Sequence, residues 1–391
     1  MHPKDLEAIL NDLPKYREAA FTLRETLLAN LVMVGEIPAP TFMEASRSRF
    51  LIDRFNECGL AHCSTDEANN AVGVITGTEG NNDIVLVAHI DQDVAETVDH
   101  TISVQPGAVS GPGVADNALG GAVLATLPTL FKELGINLRS NLVLLGAAQS
   151  LGRGNLKGVQ FYLKNSKRNV AAGVAIEGVQ LGQLCVSSIG MARGELIVHV
   201  PEEYDWTRFG AQGAIIALNE IVSRIIEIPL PRKPQSNIVL GAIFGGGRSY
   251  NVQAPDATLR FEIRSEDAEM VQQIEQQVEE IAAETSMRTS SEVTLDIFAR
   301  RSPGGISFSH PLVRTTRQIM ERLSIAPRIG PSTSELSRFL EHSIPAVRIG
   351  LTNGKTSKEE AQTIEIEPIA TGMAQLVGTL LAIDGGYCYE A

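Results

Sequence analysis

Four side chains able to bind a metal stand at related places in the chain. They are His89 and Asp91 in LVAHIDQDV, Asp116 in SGPGVADNALGG, and Glu177 closing AAGVAIEG. A divalent cation in an α/β protein is held by imidazole and carboxylate groups just past the C-terminal ends of strands, because those loops converge on one crevice. His89, Asp116 and Glu177 together make a zinc set, one imidazole and two carboxylates, with an open position for water or a substrate oxygen. Taken singly, a strand-end histidine is more often a buried polar group satisfied by its neighbours. The order of the residues carries the weight: an H-x-D pair, a Gly-rich Asp-Asn turn before a helix, and an acid at a third strand end would rarely coincide.

The elements that must position these groups are legible as a βα pattern. DIVLVAH, NLVLLGAAQ and AAGVAIEG read as buried strands, and NALGGAVLATLPTLFKEL as a helix between them. Strands with helical crossovers imply a mostly parallel sheet covered on both faces. Two amphipathic helices precede it, separated at EIPAPT, where two prolines force an extended turn. Beyond about residue 190 the order becomes GELIVHV, QGAIIALNEIVSRIIEI, NIVLGAIFGGG, ATLRFEIRS, DAEMVQQIEQQVEEIAAET and SEVTLDIFARR, a βαββαβ split sandwich. Residues 191–304 are therefore expected as a ferredoxin-like domain inserted into an α/β domain made of residues 1–190 and 305–391.

Composition sets the bounds. The 391 residues suffice for two cores. A net charge of −13, spread without long like-charge runs, argues against phosphate backbones and anionic lipids, so neither nucleic acid nor a membrane is an expected partner. Four scattered cysteines form neither a metal motif nor a disulfide framework. The opening MHPKDLEAILNDL lacks the apolar stretch of a secretory signal, and no run approaches ~20 consecutive apolar residues, which leaves the cytoplasm as the expected location.

With these motifs in place, the chain resembles the aminoacylase, glutamate carboxypeptidase and peptidase T family of co-catalytic zinc peptidases. The resemblance covers nearly the whole chain: IPAPTFMEASR, AHIDQD, GVADNALGGA, the inserted βαββαβ domain, YNVQAPDATLRFEIR and IPAVRIG. It implies a zinc-peptidase α/β/α sandwich with a lid that also serves for dimerisation. By the same resemblance His89 ligates one zinc, Asp91 orients that imidazole, Asp116 bridges two metals, and Glu177 is the remaining ligand beside His89. Asn251 and Arg264 match lid positions that present an amide and a guanidinium to substrate, and an arginine fork suits a terminal carboxylate. A β-strand arginine paired with Glu262 or Glu266 is the plainer alternative for Arg264.

The sequence departs from the family on the other half of the site. Where members carry adjacent Glu-Glu, the first a general base and the second a metal ligand, this chain has Gln149 and Ser150 in GAAQSLGRG. A glutamine accepts no proton at neutral pH, and a serine hydroxyl is a poor ligand beside a carboxylate. The C-terminal metal histidine has no counterpart in GLTNGKTSKEEAQ, His342 lies on the wrong side of the last core strand, and the lid histidine has no match in VPEEYDWTRFGAQG. Loss of a general base alone costs ~10²- to 10⁴-fold in rate. One zinc ion in preference to two, or none, is expected, with weak hydrolysis of small peptides or N-acyl amino acids, or else an inactive, ligand-binding homodimer. Asp93, Glu96, Asp99 and His100 after His89, and Glu359 and Glu360 near the missing histidine, are candidates to replace lost ligands.

Overall fold

The computed structural model describes residues 5–200, 213–246, 250, 252–356 and 362–389. The chain divides into two compact units, Met1–Ser188 with Gly305–Ala391, and Ile189–Gly304.

The first unit is built on one large sheet. At its centre Asn141–Ala147, Asn82–His89, Asn169–Glu177 and Ala346–Gly350 lie side by side, all parallel. All of Asn141–Ala147, and all of Asn82–His89 after its first residue, are buried. These strands are continuous apolar runs because helices cover both faces. Alternate residues feed two cores. Ile84, Leu86, Leu142, Leu144, Val174 and Ile176 join helices Leu6–Thr22, Arg24–Gly35, Leu119–Leu134 and Ile369–Asp384 in the larger one. Val85, Val87, Val143, Leu145 and Ala175 meet Val159 of Lys157–Asn165 and Phe339 of Leu336–Glu341 in the smaller. The result is the α/β/α sandwich with a mostly parallel centre.

The sheet's margins include antiparallel pairs, which the sequence pattern did not announce. Ala71–Ile75 pairs antiparallel with Asn141–Ala147, and Ala61–Thr65 with Ala71–Ile75. On the far side Gln183–Ser188 pairs antiparallel with Ala346–Gly350, and Arg328–Ser332 joins it in parallel. Ala61–Thr65 and Arg328–Ser332 are only five residues long and have no fully buried position, so they carry no long apolar run to read. The stretch Val114–Leu134, which contains the core helix Leu119–Leu134, is long and apolar enough to cross a membrane, but 89% of its apolar span is buried in the protein.

Register aligns the site. His89 lies opposite Ala147, and Gly350 opposite Glu177, so the loops after four parallel strands leave one edge of the sheet together. A small four-stranded sheet, in the order Gly354–Lys355, Gln362–Glu365, Ala108–Gly111 and Ser103–Gln105, brings residue 362 to the loop carrying Asp116.

The second unit is a four-stranded antiparallel sheet, ordered Ser236–Gly245, Asp256–Ser265, Gly190–His199, Glu292–Arg301. Helices Ala214–Ile226 and Ala268–Thr289 pack Leu218, Ile221, Ile274 and Val278 onto Leu196, Val198, Leu259 and Phe261. This is the βαββαβ order of a ferredoxin-like fold.

Phe339 is fully buried over Gly173, where a Cβ would come within 2.5 Å of the ring. Phe339→Ala should therefore lower the unfolding free energy by about 3–5 kcal/mol in urea denaturation, the cost of an aromatic cavity in a core that cannot collapse.

Candidate metal centre

The centre starts from His89, which is 3% exposed at the end of its strand. Its Nδ1 lies 3.1 Å from the backbone oxygen of Asp91 and 3.4 Å from Asp91 Oδ1. A carbonyl oxygen only accepts, so Nδ1 carries a hydrogen and Nε2 faces the other side. There Asp116 Oδ1 stands 3.0 Å away and Glu177 Oε2 3.8 Å. The ligand atoms of His89, Asp116 and Glu177 all fall within 4.8 Å of one another, and they are the one such His/Cys/Asp/Glu group among the described residues. Tetrahedral ligands ~2.0–2.1 Å from a zinc stand roughly 3.3 Å apart, so the set fits a divalent cation with nitrogen and oxygen preference.

Neighbouring loops fix each ligand. Asp91 Oδ2 accepts from Thr41 Oγ1 at 2.9 Å, Ser150 N at 2.9 Å and Leu151 N at 2.8 Å. Asp116 follows a turn through Gly113 at φ 67, where a Cβ would come within 2.5 Å of Gln92 Oε1. The backbone N–H groups of Ala115 and Asp116 both donate to Gln362 Oε1, at 3.0 and 3.1 Å. Asn117 donates to the carbonyl of Ile176 and accepts from Gly120 N, which ties the helix start to the strand that carries Glu177. Glu177 itself is held by Arg348, whose Nε lies 3.4 Å from its Oε1.

Neither a protein-family model nor a curated protein matches this chain. Solved structures do. The di-peptidase Dug1p from Saccharomyces cerevisiae superposes with a TM-score of 0.77 over 95% of this chain and 98% of its own, at 13% identity. Human carnosine dipeptidase 1 gives 0.76 over 95% and 99%, at 12% identity. The Bacillus subtilis YXEP protein, a dinuclear metal binding peptidase from the M20 family, gives 0.61 over 93% and 98%, at 14% identity. The chain has the fold of these peptidases. That is the fold the sequence motifs implied.

At the two positions where the sequence departs from the expected Glu-Glu pair, Gln149 and Ser150 are both buried. Gln149 takes φ 54, its N–H donates to Glu44 Oε1 at 2.9 Å, and its Nε2 donates to the carbonyl of Ala68 at 3.2 Å. The side chain is thus spent on the scaffold. Gln149 Oε1 and Ser150 Oγ close no hydrogen bond among the described residues.

Of the replacement candidates, His100 turns its ring to Gln92 Nε2 and the carbonyl of Ala95, at 3.0 and 3.1 Å, and Asp99 accepts from Thr101. Neither they nor Asp93 and Glu96 join the metal-capable group. Glu359, Glu360 and Asn251 lie outside the described residues. Arg264 donates to Glu262 Oε1 at 2.6 Å, while Glu262 also holds Arg193. This is the plainer pairing the sequence allowed. His342 ends its helix with Nδ1 on the carbonyl of Arg338 at 2.9 Å. Two contributors went unread: Gln362 and Arg348. Neither follows a strand end within a motif, and only the pairing of distant segments reveals them.

Burial opposes a charge on His89, yet hydrogen bonds to Asp116, Asp91 and Glu177 hold its pKa well above the usual 6.5. Burial likewise opposes the charge on Glu177, but Arg348 and then His89 keep it below the ordinary carboxylate value. For a raised imidazole the stabilisation is fully present below 6.5 and disappears as pH rises through the folded value. Chelator-treated protein should therefore lose stability from neutral to alkaline pH, with His89→Gln flattening that slope in denaturant titrations. Metal must displace the same proton, so metal affinity should rise over the same range.

Proposed function

We propose that this protein is a metal-dependent hydrolase of amide bonds in small peptides or N-acyl amino acids, working slowly and primarily from one zinc ion. The observation that carries the reading is the His89, Asp116 and Glu177 group, set at the strand ends of a fold shared with solved dipeptidases. Bound there, a zinc ion supplies Lewis-acid polarisation of a substrate carbonyl. The chain's own residues do the rest. Asp91 holds His89 with Nε2 facing the cation position, Arg348 keeps Glu177 ionised, and the amides of Ala115 and Asp116 lock the loop through Gln362. Gln149 accepts no proton at neutral pH, so the reaction lacks the base contribution of ~10²- to 10⁴-fold.

A second reading, a scaffold that binds a peptide-like ligand without turning it over, is favoured by the Arg348–Glu177 ion pair. That pair compensates part of the site's negative charge with no metal at all. One set of measurements separates the two. Metal analysis after purification without chelator should find about one zinc per chain, and a dipeptide and N-acyl amino acid screen should find slow turnover that His89→Ala abolishes. Absence of metal and turnover, with retained peptide binding in calorimetry, would establish the scaffold reading instead. Activity surviving His89→Ala would place the chemistry elsewhere.

The same reading takes the second unit as the surface of a cytoplasmic homodimer. Strand Ser236–Gly245 has a neighbour on one edge only among the described residues, and it exposes Ile243 and Phe244. Ile215 and Ile216 are exposed on helix Ala214–Ile226. An open strand edge with apolar side chains invites pairing. Light scattering should give a dimer mass for the wild type and a monomer mass for Ile243→Glu.

A further inference from the structure

The short helix Lys157–Asn165 leaves part of the sheet beneath it uncovered. Its nine residues run about 14 Å, whereas the seven residues of strand Asn141–Ala147 run about 23 Å. Where the helix ends, a cavity of about 360 Å³ opens over the antiparallel margin. Its floor is apolar: buried Val143, with half-buried Val72 and Val74 from strand Ala71–Ile75. Phe161 and Tyr162 of the helix form an aromatic wall. Such a volume and lining are those of a small-molecule site. The cavity is separate from the candidate metal centre. Asp83, which also lines it, stands near the start of the strand that His89 ends, about 20 Å away along the chain.

The charges of the lining are unequally matched. Asp83 is neutralised by Arg168, whose Nε lies 3.0 Å from its Oδ1, and it also accepts from Asn141 Nδ2 at 2.8 Å. Asp66 takes neutral donors: the N–H groups of Ala68 and Asn70, both at 3.0 Å, and the Asn70 amide at 2.7 Å. Glu67 is exposed at the outer edge. Burial pushes Tyr162 up to about 12, so its phenol stays uncharged, and His62 is the remaining titratable group. With Arg168 engaged by Asp83, the cavity carries the charge of two acids. Burial raises the Asp66 carboxyl above its ordinary value in spite of its donors, and a cation beside it would reverse that. The acid is also held in place. Asn70 accepts from the N–H of Ala148 and donates to the carbonyl of Gly158, both at 2.9 Å, so the turn 66–70 is anchored before any ligand arrives.

We propose that this cavity binds a small organic cation, an arylalkylamine whose ring lies on the valine floor against Phe161 and Tyr162 and whose ammonium group pairs with Asp66 and Glu67. Apolar burial supplies the affinity, and the aromatic wall adds cation–π attraction. The two acids select the sign of the ligand: a carboxylate of the same size meets like charge, and a neutral ring leaves both acids unpaired.

The test is calorimetric titration of the full chain with tryptamine, indole and indole-3-acetate, which share one ring system and differ in charge. Tryptamine should bind at one site per chain, and the other two roughly tenfold more weakly or worse. Val74→Trp, which fills the floor, should abolish binding. Asp66→Asn combined with Glu67→Gln should bring tryptamine down to the level of indole. His89→Ala should leave tryptamine binding unchanged, since the metal centre lies elsewhere. No saturable uptake of tryptamine below ~10 mM, or indole-3-acetate bound as tightly as tryptamine, overturns the proposal. Binding that survives Val74→Trp, or that His89→Ala removes, puts the ligand at another place and overturns it too. Should the double variant fail to fold, Glu67→Gln alone, a change at an exposed position, must weaken tryptamine and leave indole as it was.

Discussion

The candidate centre depends on the carboxylate of Asp91. It is fully buried, yet one oxygen takes three donors from two separate loops, and the residue's backbone oxygen fixes the tautomer of His89. A buried anion with several donors is stable in place, and its removal leaves donors without acceptors at a cost of about 1–3 kcal/mol each. The loop carrying Gln149 and Ser150, the turn at Thr41 and the imidazole plane therefore answer to one side chain. Such a junction keeps the geometry of the site even where the side chains that would do chemistry have changed.

Charge balance is the second constraint. Asp91, Asp116 and Glu177 are three acids around one imidazole, with Arg348 against Glu177. With no cation bound, the protein meets this charge by protonating His89 and engaging Arg348. With a cation bound at the imidazole lone pair, His89 must be neutral. The site thus has two ways to be electrically satisfied.

Much of this was legible in the sequence, because apolar runs and strand-end motifs are local signals. Asn82–His89, Asn141–Ala147 and Asn169–Glu177 announce themselves as continuous buried stretches, and His89, Asp116 and Glu177 follow from the rule that loops at one sheet edge converge. The antiparallel margins carry no such runs. Gln362 lies beyond the last core strand, and its hydrogen bond from the Asp116 N–H joins positions 246 residues apart. Arg348, inside IPAVRIG, looks like one polar residue in an apolar strand until the parallel register with Asn169–Glu177 brings it to the acid. In both cases the missing information is pairing between distant segments, which no local pattern encodes.

Gln149 shows why scaffold and chemistry separate at this site. Its backbone N–H is held by Glu44 whatever the side chain, and its amide donates to the carbonyl of Ala68, a contact that a carboxylate could not make, while the neutral group is buried at a lower desolvation cost than a charged one. Packing and hydrogen bonding therefore place no demand for an acid at this position, and only catalysis would. Where that demand is weak, the neutral residue is the more stable choice in a buried loop. The fold of a peptidase and the full strength of its chemistry are consequently independent properties of this chain.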